Sequence, residues 1–515
     1  MDHRSVAETK TTVPPKSTAT VTTRYAYFIL GLLTAINLLN YIDRTIVAAV
    51  NTDIQANLGL NDEQFGWVLA ILIVSYTILS PLFGRLGDSG DRRRLIAIGI
   101  AVWSLATALA GLAQSYHQLL LARSLIGVGE ASYATIAPSL ISDVFPKEKR
   151  GTALGIFFAA IPLGFALGYI TGGLTPFFDH YMGPHRGWRP TMFVVGGPGL
   201  LLAAVVYFFM REPERGGLEK DTEANVSEEE LFSYAPKSLV RLHKSFVNWL
   251  ANLPVAIRKN PIGAYLTDRI GIYTSSIVIY AALLTVGTFL FATLGYTALT
   301  FGLGALGDWV PKFLETDKGM DAGKARQALG IIVLIAGFVG TFSGGAISDW
   351  LLKYTKRAYF WVCGVTVLLG AIPGVIAIQS GNEKVYLACI FLAVMMLFMG
   401  NAPVNAIVVN SVAPNLRASA VALNILIIHV AGDAISRVAV GTLSTSIEQR
   451  AAQGTLPGFI SGIAHTFSLN PVTQHLSIAL LITPVAMVLA GVFFLVSVFF
   501  VHRSFYGMRI GAEEK

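Results

Sequence analysis

The chain has 515 residues, 54% of them hydrophobic and only 13% charged. Soluble domains carry about 25% charged residues, so this composition excludes an ordinary soluble globular protein and marks a multi-pass membrane protein. A net charge of +7 does not argue for nucleic-acid binding, because the basic residues fall between apolar runs, as they do in cytoplasmic loops.

Residues 1–24 contain Thr, Pro and Lys but no apolar core, which reads as a disordered cytoplasmic tail and not as a cleaved signal peptide. Apolar runs then recur at 25–50, 65–82, 95–113, 119–141, 153–174 and 191–210. A second series follows at 277–303, 328–347, 359–378, 385–409, 418–442 and 476–500. Each is near or above the roughly 20 residues that a helix needs to cross a bilayer core. The expected domains are an N-terminal six-helix bundle at 25–210, a linker at 211–262, a C-terminal six-helix bundle at 263–503 and a cytoplasmic tail at 504–515. Arg85, Arg92, Arg93 and Arg94, then Lys147, Lys149 and Arg150, then Lys353, Lys356 and Arg357 fill alternate connections. The positive-inside rule puts those connections, both termini and the linker in the cytoplasm. Cys363 and Cys389 fall inside predicted spans, so no disulfide framework is implied.

The first span carries Asn40-Tyr41-Ile42-Asp43-Arg44. A charge at mid-bilayer costs at least about 2.5–3.5 kcal/mol on insertion scales, so two adjacent ones ask for a reason. Asn37, Asn40 and Arg44 share a helical stripe, with Asp43 three residues after Asn40, and the stripe must face a bundle interior or a wet cavity. It reads as a substrate or proton site, or as an ion pair that locks this helix to its neighbours.

After the second span comes Gly84-Arg85-Leu86-Gly87-Asp88 with Asp91-Arg92-Arg93-Arg94; after the eighth comes Gly344-Gly345-Ala346-Ile347-Ser348-Asp349 with Lys353. Glycine, acid and a basic turn thus recur in both halves. This resembles the cytoplasmic gate motif of the major facilitator superfamily. The resemblance implies an all-α membrane fold of twelve transmembrane helices in two pseudo-symmetric bundles, with Asp88, Arg92 and Asp349 as gate residues.

In the fourth span Arg123, Gly127 and Glu130 share a face. An arginine can hold an anionic headgroup and a carboxylate in a dry cavity can accept a proton, or Glu130 can simply pair with Arg44. The fifth span repeats small residues, Gly155, Gly164 and Gly168, around Pro162, which reads as close helix packing. In the linker, Leu242, Phe246, Trp249, Leu250 and Leu253 oppose Lys237, Arg241 and Lys244, the pattern of an amphipathic helix on the membrane surface or against the bundle. From Gly271 to Gly307 there is no charge, and a straight helix that long would measure about 54 Å. One crossing with a bent extension is expected there, broken at Gly287, Gly295, Gly302 or Gly304. In the eleventh span His429 and Asp433 lie one turn apart and share a face with Arg437, an arrangement suited to proton exchange or to a satisfied core histidine.

Three stretches together resemble the Spinster-like branch of that superfamily: Asn40 to Arg44, Gly127-Val128-Gly129-Glu130-Ala131, and His429 to Ser436. Gly304-Ala305-Leu306 with Trp309-Val310-Pro311 fits it as well. The resemblance implies a proton-coupled transporter of an amphipathic, anionic lipid-like substrate, of the lysophospholipid or sphingosine-phosphate class. It implies Asp43, Glu130, His429 and Asp433 as proton-coupling residues and Arg44, Arg123, Asn40, Asn37 and Arg437 as substrate-binding residues. Arg437 stands where many members have proline, an extra cation expected to alter substrate preference. Some of these elements also occur in organic-anion symporters, which leaves an organic-anion or drug carrier as the alternative.

The expected localisation is a bacterial inner (plasma) membrane. The expected partners are the substrate and membrane lipids, with no nucleic acid and a monomeric state. No cofactor or metal is expected, the proton serving as coupling ion. No His-Glu-x-x-His pair, Gly-x-Ser-x-Gly turn or Walker A loop is present, which argues against a membrane-embedded enzyme or an ATP-driven pump.

Overall fold

The computed structural model describes residues 22–145, 147–213, 278–412 and 417–503, with isolated helical positions between 237 and 248. The tails and the apolar face of the linker helix lie outside the described residues, save for the first tail's last few positions; Lys237, Arg241 and Lys244 are helical and exposed.

Long helices, numbered here in chain order, are α1 (Thr23–Ala49), α2 (Asp62–Ser89), α3 (Arg92–Ala110), α4 (Tyr116–Val144), α5 (Lys147–Gly172) and α6 (Trp188–Phe209). The second half holds α7 (Gly287–Thr316), α8 (Ala322–Leu352), α9 (Ala358–Gln379) and α10 (Glu383–Met399, continued by Asn401–Asn410). Next is α11, built from Arg417–Ile427, a π segment Ile428–Ala434 and Ile435–Ala452, and last is α12 (Ile482–Ser497), preceded by the short helix His475–Leu480. Among the described residues, eleven helices are long and apolar enough to cross a membrane. The twelfth, α4, is 29 residues long and carries Arg123 and Glu130 inside the bundle.

Several helix starts are written into the sequence as caps. Asn61 and Gln64 form a reciprocal capping box on α2, and Asp91, Ser115, Asp321 and Asn382 accept backbone N–H groups at the starts of α3, α4, α8 and α10. These polar residues stop each apolar run at a defined height. Large apolar side chains on the outer faces stay exposed, Phe208, Leu201, Phe342 and Phe499 among them, as expected where lipid replaces water.

Packing repeats with a six-helix offset. In the first half α1 packs on α5, α2 on α4, and α3 on both α4 and α6; in the second, α7 packs on the π segment of α11, α8 on α10, and α9 on both α10 and α12. The halves meet through α2 with α11 and α5 with α8, two contacts that this same exchange interconverts. A pseudo-twofold axis therefore runs between the bundles.

The glycines of α5 behave as expected, with one exception. A β-carbon on Gly164 would sit 2.5 Å from the Tyr41 side chain and one on Gly168 would sit 2.7 Å from Thr45, so α1 lies directly on this stripe, whereas Gly155 has open space. The seventh span breaks at the first of the four expected points and at none of the others. Its helical path is interrupted at Val286, next to Gly287, and then runs unbroken through Gly295, Gly302 and Gly304 to Thr316. The charges Asp308, Lys312 and Glu315 lie inside the helix because each is paired, Asp308 with Arg437 of α11, Lys312 with Asp62 of the other half and Glu315 with Arg326 of α8, and so need not end it.

Candidate functional site

Between the halves lies a cavity of about 280 Å³. Its first-half wall presents Tyr41 and Arg44 from α1, Ile73 from α2, and Ile161, Phe165 and Tyr169 from α5. Its second-half wall presents Asp308 from α7 and His429, Asp433 and Arg437 from α11, beside an apolar side of Leu329, Val333, Ile390, Val394 and Phe398.

Arg44 reaches the cavity edge with its guanidinium 4.8 Å from the centre of the Tyr76 ring and 5.3 Å from that of Tyr41. Its Nε donates to Glu130 Oε2 at 2.7 Å, and Glu130 is fully buried behind it on α4. Asp43, one residue before, turns away from the cavity. It is buried, and both its carboxylate oxygens lie 2.7 Å from Thr107 Oγ1 on α3.

On the opposite wall the π segment decides the geometry. A π turn widens the helix and frees backbone carbonyls, a feature found often at functional sites. Thr300 Oγ1 of α7 donates to the Ile428 carbonyl at 3.1 Å, while Ser436 Oγ and Arg437 Nη1 donate to that of Asp433. His429 Nδ1 lies 3.3 Å from Asp433 Oδ2, and the imidazole packs edge-on against Tyr76 of the other half. Arg437 bridges two acids: Nη1 meets Asp433 Oδ1 at 2.6 Å and Nε pairs with Asp308. Glycine at 304 permits this cluster, since a β-carbon there would stand 2.7 Å from Asp433 Oδ1.

The nine expected proton-coupling and substrate-binding residues thus separate. Arg44, His429, Asp433 and Arg437 line the cavity, with Glu130 directly behind Arg44. Arg123 does not line it. It is buried with Nε 3.4 Å from the Val68 carbonyl of α2, and its charge acts on Asp43 and Glu130. Asn40 is buried, and Asn37 donates to the Phe157 carbonyl of α5 at 2.9 Å, which makes it a tie between two helices. In this conformation α1 and α4 turn these three into the bundle and not toward the cavity, so none of them lines it. Asn37→Ala is accordingly expected to lower thermal stability by about 1 kcal/mol without changing ligand affinity, read from a melting curve and a binding isotherm on the same sample.

Of the gate residues, Arg92 is buried and joins α3 to α4 and to the end of the first half: Nη1 meets Asp143 at 2.6 Å and Nε meets Glu212 at 2.6 Å. Asp349 accepts from the Tyr359 hydroxyl at 3.1 Å. The side chain of Asp88 lies outside the described residues. Asp308 is the acid missing from the sequence-based set; its place one position before the Trp309-Val310-Pro311 stretch was the available signal. At the end of the bundle opposite Thr23 and Arg503, here the distal end, polar contacts join the two halves.

Comparison with known proteins places this geometry in a family. Residues 33–436 match the family model of the Major Facilitator Superfamily. The chain is 30% identical to Protein spinster homolog 1 of Xenopus tropicalis, with 93% of this chain and 82% of the relative covered. It is also 30% identical to the Sphingosine-1-phosphate transporter SPNS2 of Mus musculus, with 94% and 78% covered. Among solved structures it resembles a bacterial homolog of the human lysosomal transporter Spinster in an inward-facing and unoccupied conformation, with a TM-score of 0.72, 22% identity, and 94% and 99% of the two chains covered.

Proposed function

Because the chain belongs to the major facilitator superfamily, in its Spinster-like branch, we propose that it is a proton-coupled secondary transporter working by alternating access. Its substrate on this reading is an amphipathic, anionic lipid-like molecule of the lysophospholipid or sphingosine-phosphate class, and its setting an inner membrane with both termini cytoplasmic. It works as a monomer with the proton as its coupling ion.

The observation that carries the reading is the two-sided chemistry of the cavity. Arg44 stands on one wall with Glu130 behind it, and an apolar side of Leu329, Val333, Ile390, Val394 and Phe398 runs beside the charged cluster of the other wall. A headgroup can meet charge while a hydrocarbon chain meets Leu, Ile, Val and Phe. Arg44 suits an anionic group because a guanidinium donates in a planar fork matched to phosphate or carboxylate. The volume of about 280 Å³ lies at the small end for ligand sites, which favours a compact organic anion as the second reading.

Binding of a lysophospholipid and of a small sugar acid to the wild type and to Arg44→Gln separates the two. Submicellar lysophospholipid is expected to bind, and the variant to bind it about tenfold more weakly or worse, having lost a charge-assisted contact. Binding of the sugar acid alone would move the protein to the organic-anion carriers with the fold unchanged.

A further inference from the structure

The distal end is closed by charges from four elements. The first half supplies Asp53, from the short helix Asn51–Leu58, and Asp62, at the start of α2. The second supplies Lys312 and Glu315, from the last turns of α7, and Arg326, from the first turns of α8. Arg326 is fully buried: Nη2 meets Asp53 Oδ2 at 2.7 Å across the interface, Nη1 donates to the Gly172 carbonyl at 3.1 Å, and Nε meets Glu315 Oε1 at 3.0 Å within its own half. Lys312 crosses to Asp62, which also accepts from Ser444 Oγ of α11 at 2.6 Å.

Three of these four crossing charges also hold a partner that stays with them. Arg326 has Glu315; Asp53 has His185 Nδ1 at 3.2 Å; Asp62 has Gln55 Nε2 at 2.8 Å. This matters because removing one partner of a buried pair is severe when the other charge is left uncompensated. Here separation of the halves leaves Arg326 with a counter-charge and each of the two carboxylates with a hydrogen-bonding partner.

We propose that Asp53–Arg326 and Asp62–Lys312 form the latch that holds the distal end shut, and that Glu315 is the resident counter-charge that lets Arg326 release. The proposal rests on the alternating-access reading. It assigns opposite signs to two residues bonded to the same guanidinium. Loss of Asp53 or Arg326 weakens the closed state. Glu315→Gln keeps an acceptor for the Thr52 hydroxyl that reaches Glu315 across the interface but removes the charge, and so weakens the open state, since Arg326 would then part from Asp53 with no counter-charge.

The test is the rate at which a membrane-impermeant maleimide alkylates Leu303→Cys, a cavity position, on intact cells, with Cys363 and Cys389 replaced by serine. Surface labelling of Ala56→Cys in the same background first establishes that the distal end faces outward, so that a wrong orientation is seen separately from a wrong latch. Arg326→Gln and the milder Asp53→Asn are expected to raise the rate at Leu303→Cys by about tenfold or more, and Glu315→Gln to lower it by about threefold or more. Size-exclusion profiles identify any variant that fails to fold, and Asp53→Asn keeps the test open if Arg326→Gln does. Unchanged rates in folded Asp53→Asn would overturn the latch. A Glu315→Gln rate unchanged, or raised like that of Asp53→Asn, would overturn the resident-partner role.

Discussion

Asp43→Asn is expected to collapse gradient-driven accumulation of substrate to simple equilibration, while exchange of labelled for unlabelled substrate continues. The reason lies in the hydrogens available around this buried carboxyl. Thr107 Oγ1 is 2.7 Å from both oxygens of Asp43 and 3.0 Å from the Trp103 carbonyl one turn back on its own helix. A hydroxyl has one hydrogen to give. With Asp43 ionised, Thr107 donates to the carboxylate. With Asp43 protonated, the acid donates to Thr107 Oγ1 and the hydroxyl turns its hydrogen to the Trp103 carbonyl. Both charge states are therefore satisfied with no heavy atom moving, as a group that loads and unloads a proton in every cycle requires. Asparagine can donate to or accept from Thr107 but has no proton to load and release and no charged state. Each coupled proton is worth about tenfold in accumulation per pH unit, so the loss is measured directly in proteoliposomes with an imposed gradient. Gradient-driven accumulation at the wild-type level in Asp43→Asn would move the coupling site to Glu130 or to the His429–Asp433 pair.

How much of this was legible beforehand differs from residue to residue, for physical reasons. The helices were legible because a bilayer demands long apolar runs and polar caps end them. The charges inside the runs were legible because each conflicts with its surroundings. Which neighbour each charge meets was not. Asn37 and Arg44 share one stripe of α1, yet α1 crosses α5 along it, so Asn37 meets the Phe157 carbonyl while Arg44 reaches the cavity edge. A helical stripe gives direction and no partner. Asp308 escaped notice because a charge near the end of an apolar run reads as the start of a loop, whereas here Arg437, far along the chain, neutralises it inside the helix. The π segment left no local signal beyond Gly432, and the latch joins residues as remote as 53 and 326, which no window along the chain can pair.

Replacing Glu130 by alanine is expected to be the most damaging single change in the first half, lowering both stability and transport. Glu130 is fully buried, and its Oε2 accepts from Arg44 at 2.7 Å. Arg44 keeps only a small exposed fraction and the faces of Tyr41 and Tyr76 as further company. Alanine strands that guanidinium, and breaking a buried pair from one side costs about 3–5 kcal/mol. Flux is expected to fall by about 100-fold or more, because an arginine without its counter-charge no longer holds the position from which it meets substrate. The double variant Arg44→Gln with Glu130→Gln separates the two effects. With both charges gone nothing is left unpaired, so the melting temperature should recover most of what alanine lost, while flux stays low for want of the cation. If flux also recovered, the pair would be a structural tie between α1 and α4, and the anion would have to be held elsewhere on the cavity wall. If alanine alone cost nothing in stability, the arginine would have found water in the cavity, and Glu130 would be free to serve as a proton carrier independent of Arg44.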